Sequence, residues 1–128
     1  MIRESSNARS KVAAEKVSGQ LDVRLQLKVN PAIPDGTTCS INATADASDS
    51  TYSNFSYAFP PATVEGGVIK TTATIYYNWK VASKSDMLAI QVSVSAAAGS
   101  YNAFANFDKT IALPANGAVT KVTIDDAL

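Results

Sequence analysis

The sequence predicts an all-β protein, an antiparallel β-sandwich preceded by a short N-terminal arm that is helical or extended. Three observations carry this prediction. Residues 21–29 alternate without an error, Leu21, Val23, Leu25, Leu27 and Val29 against Asp22, Arg24, Gln26 and Lys28, the period-two pattern of a strand with one buried and one wet face. The longest run of this kind, residues 69–81, carries the only tryptophan, Trp79. Glycine, proline and asparagine recur between such runs at the spacing of turns in an antiparallel sheet.

The arm comes first. Residues 1–20 hold good helix formers and no aromatic residue, and residues 21–128 form the sandwich domain. Ser5, Ser6 or Asn7 caps a helix through residues 8–17, with Gly19 as its stop. The apolar stripe of Ile2, Val12, Ala13 and Val17 is thin, so such a helix needs a docking surface and the stripe becomes the candidate assembly interface. A frayed tail and a short strand through residues 11–17 are the alternatives.

The remaining elements follow in order. Asn30-Pro31 ends the strand at residues 21–29, and Pro34-Asp35-Gly36 makes a turn. Residues 38–45 form the second strand, with Cys39, Ile41 and Ala43 on one face, and residues 46–54 form a polar loop. Phe55, Tyr57 and Phe59 alternate with Ser56 and Ala58 in a third, short strand stopped by Pro60-Pro61. Most of the rings in this strand, in Tyr52 and in the long strand are assigned to the core, with a sugar-stacking or protein-interface platform as the alternative. Glu65-Gly66-Gly67 turns the chain into the long strand, where Ile69, Thr71, Ala73, Ile75, Tyr77, Trp79 and Val81 face inward and Tyr76 outward.

Residues 82–86 connect to a strand carrying Leu88, Ile90, Val92, Val94 and Ala96, which Gly99-Ser100 breaks. Residues 103–113 carry the next strand, and Lys109 on its apolar face predicts a bulge or a strand end. Pro114-Ala115-Asn116-Gly117 predicts a hairpin, with residues 119–124 returning. A Trp-bearing central strand followed by long alternating strands resembles an immunoglobulin-like or fibronectin-like module in outline, without the paired cysteines of antibody domains. A jelly roll is the rival connectivity.

Composition narrows the function. At 128 residues the chain is one domain that holds together without disulfides or metal. Eleven basic and eleven acidic residues cancel, which leaves no electrostatic footprint for nucleic acid. There is no histidine, so the usual general base near neutral pH and the commonest zinc ligand are both missing. No enzyme and no cofactor are expected. The single cysteine, Cys39, reads as a buried thiol. No window approaches the ~18 consecutive apolar residues of a membrane span, and residues 1–20 lack the apolar core of a signal peptide. Scarce charge with abundant Ala, Ser, Thr and Asn points to a virion or the extracellular space.

Few residues suggest chemistry. Asp46 and Asp49 sit in a Ser/Thr-rich loop but lack the fuller spacing of a calcium loop, so a solvated loop is expected and no metal. Asp125-Asp126 reads as a charged end. Asn42-Ala43-Thr44 and Asn54-Phe55-Ser56 match a glycosylation triplet that is common in a chain of this composition. Nucleophile triads, phosphate loops and metal-cysteine clusters are not found. The expected function is a structural subunit of a particle or filament, such as a phage capsid decoration or tail component, with protein partners through self-association or a lattice. The alternative is an exported adhesion or carbohydrate-binding module, with Tyr52 and Tyr76 as its stacking surface.

Overall fold

The computed structural model describes residues 15–49, 51–82 and 87–128. Those residues form eight strands and no helix: β1 (Glu15–Lys28), β2 (Thr38–Asp46), β3 (Phe55–Ala58), β4 (Ala62–Glu65), β5 (Val68–Val81), β6 (Met87–Ala98), β7 (Tyr101–Ala112) and β8 (Ala118–Ala127). They join in the order β7-β6-β2-β4-β5-β1-β8, with β3 also on β2. Every pairing is antiparallel except β1 with β8, which is parallel. The result is a curled mixed sheet, a half-barrel open between β7 and β8.

The short strand β4 makes the curl. It pairs with the start of β2 through Thr63 and Ala62, then with β5 through Val64 and Glu65. Pro60-Pro61 separates it from β3, because proline supplies no N–H to a ladder and fixes its own φ. One strand's length of chain therefore turns the corner from β2 to β5. Asp35 locks that corner: its carboxylate accepts the N–H groups of Gly66 and Gly67 at 2.9 and 3.0 Å. Both glycines have positive φ, 62° and 72°, which a tight β4–β5 turn requires.

The alternating faces fill one core. Leu21, Val23, Leu25 and Leu27 of β1 pack with Ile69, Ala73 and Ile75 of β5 and with Leu88, Ile90, Val92 and Val94 of β6, all fully buried. Burial of one such aliphatic side chain is worth about 1.5–3 kcal/mol.

Several expectations need correction. The two-sheet sandwich, immunoglobulin-like or jelly-roll, gives way to one continuous curled sheet, because β4 bridges the two halves. No helix runs into Gly19: Glu15–Gly19 belongs to β1 and continues its ladder with β5 from Glu15↔Val81. Val17 is buried in the core, so it is not part of an exposed interface. Ile2, Val12 and Ala13 lie outside the described residues. An eighth strand, β4, was hidden by its four-residue length.

The Asn116-Gly117 turn forms, but β8 does not return onto β7. Ser18 donates its N–H and its hydroxyl to Asn116 Oδ1 at 2.8 and 3.1 Å, and Gly117 N–H donates to Ser18 O at 2.6 Å. Those bonds deliver β8 to β1, in register from Gly19↔Ala118. Lys109 marks neither a bulge nor a strand end, since β6 and β7 pair without interruption from Met87↔Ala112 to Ala98↔Tyr101. It sits on the inner side at the open seam, and its Nζ donates to Thr123 O at 3.3 Å.

Packing is close around Tyr77. Its ring stacks on Trp79 with centroids 4.6 Å apart, and its hydroxyl is buried with no hydrogen-bond partner among the described residues. Opposite lies Gly19, where a Cβ would stand 2.6 Å from the Tyr77 hydroxyl and 2.7 Å from the Ala118 carbonyl oxygen. Gly19→Ala is therefore expected to lower stability by about 1–3 kcal/mol through overpacking, read as a lower unfolding midpoint. Tyr77→Phe removes the unpartnered hydroxyl and is expected to leave the midpoint unchanged or raised. In that background Gly19→Ala should do less harm. An equal loss in both backgrounds would put the clash at Ala118 alone.

Candidate functional site

The feature that stands out is on the outer face of β3-β2-β6-β7. Successive strand residues point to opposite faces, and in β3 Ser56 and Ala58 point inward. Ser56 Oγ accepts the indole N–H of Trp79 at 3.1 Å, and Ala58 pairs with the buried Ala43. Phe55, Tyr57 and Phe59 are thereby sent outward, 55%, 58% and 64% exposed. This reverses the assignment of these rings to the core. Tyr77 and Trp79, in contrast, are buried as the pattern requires.

The three rings touch in sequence. Phe55 and Tyr57 have centroids 5.9 Å apart at 42°, and Tyr57 and Phe59 have centroids 5.3 Å apart at 54°. They form one apolar ridge along an edge strand. Three strands away on β7, Phe104 is 66% exposed, about 14 Å across the sheet at ~4.8 Å per strand.

Between ridge and Phe104 the floor is small and polar. The register aligns Ser40 with Ser95 and Phe104, Asn42 with Ser93 and Asn106, and Thr44 with Gln91 and Asp108. Ser93 Oγ and Asn106 Oδ1 are bonded at 2.6 Å. A shallow trough of about 240 Å³ runs over Ser40, Asn42, Ser93 and Ser95 from Phe59 to Phe104. No family model, no curated protein and no solved structure matches the chain.

The residues singled out from sequence do not gather at this face. Tyr76 is exposed on the outer side of β5, across from Gln20 on β1, in the other half of the sheet. Tyr52 is half-buried in the loop before β3, where its N–H donates to Asp49 Oδ1 at 2.7 Å. Asp49 also accepts the N–H groups of Thr51 and Ala82 at 2.8 and 3.0 Å, and Asp46 accepts that of Ser48 at 2.7 Å. These carboxylates shape the loop, and among the described residues no three acidic or sulfur ligands form a group. Asn54 is buried, donating to Lys80 O at 2.6 Å, so it presents no amide for modification. Asp125 and Asp126 are exposed on β8.

Among the described residues two titratable groups are perturbed, both inside the fold. Burial pushes the Cys39 thiol and the Tyr77 phenol upward, because desolvation disfavours the charged forms. The native state thus holds these protons more tightly than the unfolded chain. Their contribution is fully present below the unfolded values, about 8.5 for a thiol and about 10 for a phenol, and is lost as pH rises above them. Thermal melts from pH 7 to 11 should show a falling midpoint, with a shallower fall in Cys39→Ala. Native Cys39 should also react with a thiol reagent much more slowly than in denaturant. Equal labelling rates would contradict the burial.

Proposed function

We propose that this chain is a non-catalytic structural subunit that associates with copies of itself through the aromatic ridge, within a larger particle or filament. The observation that carries this reading is the contiguous ladder of Phe55, Tyr57 and Phe59 standing in water along β3 and the residue that follows it. Adjoining exposed aromatic rings are the residue type enriched at interaction surfaces, and the largest apolar patch on a protein is often functional. The ridge lies beside a trough on the same face, so two copies related by a two-fold axis lay each ridge along the other's trough. Zero net charge places no long-range repulsion between copies. The ridge is smaller than the roughly 800 Å² per partner of a stable interface, so each contact is weak and gains strength by multiplicity. A phage virion surface is the setting that the composition favours.

A second reading, a carbohydrate-binding module, draws on the hydroxyl and amide floor beside the rings. The tilts of 42° and 54° weigh against it, since stacking along a sugar chain calls for rings that present a common plane. Tyr57→Lys is expected to weaken self-association at least about tenfold, the effect of removing one anchor worth more than ~1.4 kcal/mol. Its unfolding midpoint should hardly move, since exposed substitutions stay within about 0.5 kcal/mol. Light scattering over a concentration series, with thermal melts beside it, checks both. A monomeric wild-type chain that a polysaccharide resin retains, and that loses retention with Phe59→Ala, would replace this reading with the second.

A further inference from the structure

The half-barrel is open along one seam. β7 and β8 are the two ends of the strand order, so both carry a row of edge N–H and C=O groups without ladder partners, a template for another strand. Between them lies a cleft of about 520 Å³ lined by residues 106–109 and 123–126. Its lining is mostly polar, and its two apolar members are the half-buried Phe107 and the buried Ile124. Its rim is acidic, with Asp108, Asp125 and Asp126 against Lys109.

We infer that this seam is a strand acceptor and that its donor is the segment before Glu15 of a second copy of the chain. Residues 1–14 carry Arg3, Arg9 and Lys11 against Glu4, the charge complement of the rim. Fourteen residues in extended form reach about 48 Å at ~3.4 Å each, ample for the ten and twelve residues of the flanking strands. On its own molecule the way is obstructed. Ser18, four residues into the chain from that segment, is bonded to Asn116 and Gly117 of the turn that joins β7 to β8, and this turn closes the near end of the seam. The incoming strand displaces the Lys109–Thr123 bond and completes the ladder on both edges, the strand-addition mode of recognition.

Donor and acceptor are different surfaces, so the contact is heterologous and propagates into a ring or filament. It does not rest on the aromatic ridge. The test is charge exchange in the full-length chain. One variant carries Arg3→Glu, Arg9→Glu and Lys11→Glu, and the other carries Asp108→Lys, Asp125→Lys and Asp126→Lys. Each variant alone is expected to associate at least about tenfold more weakly than wild type, the sum of several exposed pairs. An equimolar mixture should recover association, because every donor then finds an acceptor of opposite charge.

Sedimentation velocity reads the association, and hydrogen exchange reads those amides of residues 106–109 and 123–126 that point away from β6 and β1 into the seam, which should be protected only in the assembled form. Association unchanged in both variants, or no recovery on mixing, overturns the inference. Seam amides protected in a monomer overturn it too, by placing the chain's own segment there. Tyr57→Lys separates the two readings: it should leave the charge-exchange pattern intact, and association lost there but indifferent to the rim charges would keep the ridge and remove the seam.

Discussion

Tyr77 and Trp79 occupy successive inward positions near the end of β5, stacked at 4.6 Å, and much of the molecule accommodates them. Two large rings side by side take the room that neighbouring strands would otherwise fill. On the β1 side the accommodation is Gly19, since a Cβ there would meet the Tyr77 hydroxyl. On the opposite side it is β3, whose inward positions are Ser56 and Ala58, with Ser56 accepting the Trp79 N–H. Once those positions are small, alternation sends Phe55, Tyr57 and Phe59 outward. The exposed ridge is thus a consequence of how this end of the core is filled.

The second organising element is β1, which carries long ladders on both edges, antiparallel to β5 and parallel to β8. A strand that follows a tight Asn-Gly turn ordinarily pairs with its predecessor. Here the side chain of Asn116 is bound by Ser18, and the turn is held against β1. Delivery of β8 to β1 completes one side of the sheet and leaves β7 unpaired on the other. The openness of the barrel and the burial of Val122 and Ile124 have the same cause.

The strands were largely legible because period-two alternation is a local property: β2, β5 and β6 lie within a few residues of the runs that predict them, and β1 holds its predicted run but starts six residues earlier, at Glu15. Pairing was not legible, because it depends on contacts far apart in sequence, such as Ser18 with Asn116. Nor was the face of β3. Aromatic residues alternating with small ones read as core by hydrophobicity alone, and only the position of Trp79 reverses the assignment. The candidate site was missed for that reason, while the outward face of Tyr76 was legible because its neighbours on β5 outvoted it. Lys109 was a true signal read too narrowly. A charged residue on an apolar face meant a place where the core is open, not a defect in the strand.

Charges along an exposed strand edge are commonly read as protection against aggregation, and Asp108, Lys109, Asp125 and Asp126 suit that role. Protection and selection are the same physics at such an edge. An acidic rim repels an acidic edge, including the same seam on another copy, and so suppresses edge-to-edge pairing of β7 or β8 with themselves. It attracts a strand with basic residues flanking small apolar ones, as residues 1–14 provide. Lys109 reaches across the seam to Thr123 and is the group a donor strand displaces. The feature that keeps a half-barrel from clumping therefore also restricts what completes it, since an occupant must match both the ladder and the charge.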